Sequence, residues 1–173
     1  MQKLIISSFG LLLISFFLFK TLAGIERVNI DDEAILENIS SKANEHLTEH
    51  GDTTEVEIKT EGIELSYSVT ELRAKAGDIL RIRYINESDM NHNMVLVREE
   101  ADIRPVGIAA LQAISNDWIP EKEMDRIIAY SALAHSGDTV VFSFKVPPPG
   151  TYPYICTYSA HWTQMQGRLI STE

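Results

Sequence analysis

Near its C-terminus the chain carries its single cysteine, which opens the run Cys156-Thr-Tyr-Ser-Ala-His161-Trp-Thr-Gln-Met165. Well upstream stands Asn91-His92-Asn93. A thiolate, two imidazoles and a thioether are the donor set of a blue-copper site, with two nitrogens and a sulfur in a trigonal plane and a weak axial sulfur. Thiolate and thioether favour Cu(I), while imidazole suits both oxidation states. One rigid geometry acceptable to both limits rearrangement when an electron moves. Cys156, His161 and Met165 on one loop, with His92 from a neighbouring strand, would hold that geometry without a disulfide. Each residue alone has a plainer reading. A cysteine at a strand end is usually a small buried hydrophobe, a lone histidine is more often structural, and a lone methionine belongs to a core. Gln164 or Gln166 is the fallback for Met165.

The elements that must position these residues are strands. From Thr54 the apolar positions alternate: Val56/Ile58, then Ile63/Leu65/Tyr67/Val69, then Leu80/Ile82/Tyr84 after a turn at Ala76-Gly77-Asp78. Met94–Val97 is a short buried-type run, and Val140/Phe142/Phe144/Val146 alternate again. Pro147–Gly150 turns the chain into Tyr152–Cys156, and Gly167–Ile170 closes it. Pro105–Tyr130 reads as a helical excursion, through Val106, Ala109, Ala110, Ala113 and Ile114, then Met124, Ile127 and Ile128. Several short strands with one such insertion predict an all-β antiparallel Greek-key sandwich rather than a βαβ protein.

These residues resemble the cupredoxins of the azurin and auracyanin type. The four-residue gap between Cys156 and His161 is that subgroup's. Asn91-His92-Asn93-Met-Val-Leu-Val is similar to its first-histidine strand, and Pro149-Gly150-Thr-Tyr152-Pro-Tyr154-Ile-Cys156 to its approach to the cysteine. The helical excursion matches a flap inserted between the two ligand regions. The resemblance covers about residues 55–173 and implies one type 1 copper, with His92, Cys156 and His161 as strong ligands and Met165 axial. It further implies a weak contact from the Asn91 carbonyl. Asn93 would tie the two ligand loops together, and the N–H groups of Asn93 and Tyr158 would bond the cysteine sulfur. Three departures stand out. A single cysteine forbids the disulfide usual in azurins, Ser159-Ala160 replaces a frequent Pro-Gly before the second histidine, and residues 24–53 have no counterpart in the minimal fold.

Met1–Lys3 and the apolar run Leu4–Phe19 read as an export leader, either a cleaved signal peptide (residues 1–23) or a retained membrane anchor held by residues 4–19. The expected location is periplasmic, or the outer face of the cytoplasmic membrane. Residues 24–53 read as an acidic helical spacer, with Ile35, Leu36, Ile39, Ala43 and Leu47 near helical spacing over about Asp31–His50. By the resemblance, residues 54–173 would form the cupredoxin domain. The chain carries 15 Lys+Arg and 25 Asp+Glu, a net charge of −10, which argues against nucleic-acid binding. One cysteine also excludes a multi-thiolate cluster or a two-cysteine binuclear copper centre within the chain. His46 and His50 share a face of the spacer helix, most simply a solvated one; His135 reads as a turn residue and Trp118 as flap core. Trp162, next to a ligand, is read as a docking residue, with core as its alternative.

The leading function is single-electron transfer between Cu(II) and Cu(I), by a monomer, with a redox partner such as a cytochrome or membrane oxidoreductase. Copper storage or delivery is the alternative. An enzyme is not expected, because a catalytic second copper needs histidines that His46, His50 and His135 do not supply. A Cys/His hydrolase lacks a positioned acid or oxyanion motif.

Overall fold

A computed structural model describes residues 51–173. The leader, most of the acidic spacer, His46 and His50 lie outside the described residues. Among the described residues eight strands form two sheets: β1 (Thr53–Gly62), β2 (Glu71–Lys75), β3 (Ile79–Ser88), β4 (Val95–Val97), β5 (Ile127–Tyr130), β6 (Thr139–Lys145), β7 (Gly150–Ile155) and β8 (Gln166–Thr172). One sheet has the order β1-β3-β6, the other β2-β8-β7-β4-β5. They enclose a core that includes Ile58, Leu80, Ile82 and Tyr84 from the first, and Leu72, Leu96, Tyr154 and Leu169 from the second. This is the expected two-sheet β-sandwich, with two of its pairings parallel rather than antiparallel, β1 with β3 and β2 with β8.

Strand β3 shows how alternation builds the site. Its inward row runs Leu80, Ile82, Tyr84, Asn86, Ser88, all buried, and turns from apolar to polar at its far end. Buried polar groups need partners. Those partners lie at the candidate centre. On the outward side, the parallel register sets Glu55 beside Arg81 and Glu57 beside Arg83, and both pairs form ion pairs, at 3.4 and 2.8 Å. Glu55 and Glu57 thus belong to a half-solvated sheet face.

β4 and the end of β7 are buried at consecutive residues because both their faces are covered. Leu96, Tyr154 and Cys156 face the sandwich core, while Val95, Val97 and Ile155 face a second cluster with Ile103, Val106, Ile119 and Ile127. That second layer comes from the flap. The flap contains one helix, α1 (Ile103–Ala110), and short 3-10 turns at Glu100–Asp102, Ile114–Asn116 and Glu121–Arg126. Pro105 falls in the first turn of α1, where the missing N–H removes no helix bond. Arg126 ties the flap's two ends together by bonding buried Asp102 at 2.6 Å.

Two expectations are corrected. Ile63–Val69 alternates but is a turn and bends rather than a strand: Ile63 is 80% exposed, although Tyr67 is buried. Ile127 and Ile128 are not helical; they belong to β5, which pairs with β4. A short apolar segment is ambiguous by periodicity, and the unpaired edge of β4 decides it.

Candidate metal centre

His92 follows β3 and enters a two-way bridge with Ala134, its N–H donating at 3.0 Å and its carbonyl accepting at 2.8 Å. Cys156 directly follows β7, and His161 opens the 3-10 turn His161–Thr163. The backbone folds the rest of the loop back: Met165 N–H donates to the His161 carbonyl at 2.8 Å, and Cys156 N–H to the Met165 carbonyl at 3.1 Å. Ser159 and Ala160 both adopt left-handed backbone, at φ 52° and 75°, to turn His161 inward.

The result is a triangle of donors. Cys156 Sγ lies 3.6 Å from His92 Nδ1 and 3.7 Å from His161 Nδ1, and the two nitrogens are 3.2 Å apart. The point equidistant from all three lies about 2.0 Å from each, close to the length of a metal–imidazole bond. The residues present therefore fit a metal ion. Met165, fully buried, packs in the same core cluster as Cys156.

The protonation states suit ligation. Burial, reinforced by the neighbouring His161, lowers His92 to about 4, so its ring is neutral at pH 7. Burial lowers His161 as well. The Cys156 thiol is pushed up to about 12 by burial, against the N–H groups of Asn93 and Tyr158, which bond the sulfur and pull the other way. A cation held in the triangle would take the place of the thiol proton, which would leave as the metal binds.

Around the donors, Asn93 joins the two ligand regions. Its Oδ1 accepts from Thr157 N–H at 2.8 Å, and its carbonyl accepts from the Tyr67 hydroxyl at 2.7 Å. Asn91 precedes His92 and is half-buried. Two contributors escaped the sequence reading. Ser88 Oγ lies 3.0 Å from His92 Nε2 and 2.7 Å from Asn86 Oδ1. Asn86 Nδ2 is itself held by the Met90 and Ala134 carbonyls, at 2.6 and 3.0 Å. The signal that could have found them is their place on the inward row of β3, where polar residues are costly unless used.

Trp162 packs against the flap. A 3-10 turn sends successive side chains in different directions, so while His161 faces the sulfur, the Trp162 ring lies against α1 at Gly107. It joins the second hydrophobic cluster, and its indole N–H is buried without an acceptor. This packing fits the core alternative for one part of the ring, and the residue as a whole is half-buried. His135 sits on an exposed turn, its N–H held by Asp138 at 2.9 Å.

A buried cysteine sulfur between two imidazoles, at the end of a β-sandwich, is the ligand arrangement of a type 1 copper protein. The family model of the copper binding proteins of the plastocyanin/azurin family matches residues 54–171, and the chain belongs to that family. Auracyanin-A of Chloroflexus aurantiacus is 39% identical over 120 residues, covering 66% of this chain and 72% of that protein. Auracyanin A, a "blue" copper protein from the same bacterium, has a solved structure that superposes with a TM-score of 0.66 at 37% identity, covering 69% of this chain and 99% of that one. A dithionite-reduced auracyanin from Roseiflexus castenholzii gives 0.65 at 30%, covering 71% and 100%. The cofactor is one type 1 copper.

Proposed function

We propose that this protein is a single-electron carrier that cycles one copper between Cu(II) and Cu(I), with His92, Cys156 and His161 as strong ligands and Met165 as the axial one. The observation that carries the reading is the near-equilateral donor triangle, with edges of 3.2, 3.6 and 3.7 Å. Bound copper supplies the one-electron couple. The chain's part is to keep three donors in one arrangement for both oxidation states, through the Asn93–Thr157 tie, the N–H bonds to the sulfur and the hydroxyl behind His92. The full burial of His92, Cys156 and Met165 keeps water from the metal, while half-buried His161 is the edge nearest the surface. A redox partner therefore approaches the His161 side. The apolar run Leu4–Phe19 supports work outside the cytoplasmic membrane, with residues 1–23 as leader or anchor and the acidic segment as spacer. The kinship with a protein called a "blue" copper protein supports the optical signature.

The test is the spectrum of the copper-loaded chain. The parental protein is expected to show an intense blue band that bleaches and recovers on redox cycling with copper retained. Cys156→Ser should lose the band entirely, because the thiolate supplies the charge transfer. A mutant that stays intensely blue overturns the assignment. Copper lost to a competing chelator on every cycle would favour a storage or delivery role instead.

A further inference from the structure

The flap reverses at Asp117-Trp118, where two consecutive non-glycine residues take left-handed backbone, at φ 51° and 59°. Aspartate visits this region readily, but for a bulky residue it is a genuine outlier, and such strain persists only where surrounding contacts hold it. Here four hydrogen bonds do so. Trp118 N–H donates to the Ala113 carbonyl at 2.9 Å, Ile119 N–H to the Asn116 carbonyl at 2.9 Å, and Asn116 Nδ2 to the Ile119 carbonyl at 2.7 Å. The fourth comes from the metal centre itself, where Asn93 Nδ2 donates to the Asp117 carbonyl at 3.2 Å.

The strained turn sets the Trp118 ring against the ligand loop. Its centroid is 4.5 Å from that of Tyr158, at an interplanar angle of 57°. Tyr158 in turn meets the His161 ring edge-on, at 5.2 Å and 67°. The backbone N–H of Tyr158 bonds the Cys156 sulfur. One ring from the flap thus bears on a residue that touches two of the three donors. A second flap-to-loop contact, Trp162 against Gly107, belongs to the second hydrophobic cluster, whereas Tyr158 packs against the sandwich core that holds Cys156.

We infer that Trp118 is a positioning residue of the metal centre: its ring clamps Tyr158 and thereby holds the His161 ring and the N–H that bonds the Cys156 sulfur. The inference rests on the copper reading for its electrochemical consequence. Its mechanical content belongs to the chain alone. Without the ring, the loop between Cys156 and His161 opens more often. The Tyr158 N–H bond to the thiolate weakens, the sulfur donates more strongly to copper, and Cu(II) is favoured.

The variant of choice is Trp118→Gly in the full chain, because glycine takes the left-handed backbone without steric cost and only the ring is lost. Two readouts are taken. In copper-free protein, alkylation of Cys156 by iodoacetamide should be faster by roughly two- to tenfold, the range set by one aromatic pair. In copper-loaded protein, the reduction potential should fall. Trp118→Phe should restore most of both. Ile119→Ala, which removes a neighbouring flap residue packed in the second cluster, should lower thermal stability and move neither. Parental alkylation and parental potential in Trp118→Gly overturn the inference, as does an equal change of both in Ile119→Ala. Should Trp118→Gly not fold, Trp118→Leu keeps bulk without a ring face and is held to the same two readouts. A parental chain that takes no colour with copper defeats the copper reading, while the alkylation arm still decides the clamp.

Discussion

Ser88 has one proton to give, and both the Asn86 Oδ1 and the Met90 carbonyl lie within its reach, at 2.7 and 3.1 Å. Neither of those oxygens can donate, so toward His92 Nε2 the hydroxyl must accept. The proton then sits on Nε2, and the lone pair on Nδ1 points into the triangle. Ser88→Ala should lower copper affinity about 10–100-fold, and Ser88→Thr should restore it, measured by chelator competition. An unchanged affinity would remove Ser88 from this role. Ala160 presents the opposite case, a residue working against its own preference. At φ 75° it occupies backbone that costs a non-glycine residue about 1–2 kcal/mol, against about 0.5–1 kcal/mol of extra chain entropy lost by glycine. Ala160→Gly should therefore stabilise the fold by about 0.5–1 kcal/mol, raising Tm by a few degrees with the copper spectrum unchanged. A Tm at or below the parental value would show that the turn is not strained there.

At the scale of elements, the ligand loop and the flap helix are fitted to each other. A Cβ built on Gly107 would come within 2.3 Å of the Trp162 ring, inside the approach that real side chains make. Alanine would favour the helix intrinsically by about 1 kcal/mol. Overpacking in a tight contact typically costs about 1–3 kcal/mol, and the neighbour here is a rigid indole, so the clash wins. Gly107→Ala should lower the urea midpoint. The blue band should survive, because α1 touches the loop through Trp162 and not through a donor. A variant more stable than the parent would show that the ring has room to move, and that Trp162 is less firmly seated than its burial indicates.

For the molecule as a whole, charge is the long-range property. Residues 24–50 carry seven acids and two bases, a net of −5 out of −10. The domain itself begins no later than residue 51. Gly51 abuts the backbone of Gly77 and Asp78, and the Asp52 carbonyl accepts from Ile79 N–H at 2.9 Å. Removal of residues 1–50 should leave folding and the blue band intact, since no donor lies there. With a basic redox partner, the same truncation should weaken the dependence of electron exchange on ionic strength, because steering scales with the charge removed. Stopped-flow exchange across a salt series reads this out. Loss of soluble, coloured protein would instead make the acidic segment an integral layer of the fold.

The donor set was legible because three of its four residues share one short run, and the cysteine, histidine and methionine types are scarce enough in this chain to stand out. The strands were legible where alternation coincides with pairing, as in β3 and β6. Alternation failed at Ile63–Val69, where the backbone joins no strand ladder: Ser68 reaches back to Lys59 of β1, its hydroxyl accepting from the Lys59 N–H at 2.8 Å and its N–H donating to the Lys59 carbonyl at 2.7 Å. The mixed pairing of the sheets was equally hidden, since a period of two carries no strand direction. Tertiary structure alone decided that Ser88 sets the His92 tautomer, that Trp162 faces α1, and that Trp118 leans on Tyr158. The last two of those contacts join residues far apart in the chain and depend on how the flap and the two sheets close on one another. The first spans four residues and depends on how the chain turns between the end of β3 and the His92–Ala134 bridge. The types of residue that can hold copper are a local property of the sequence; the angle at which they meet is a property of the closed fold.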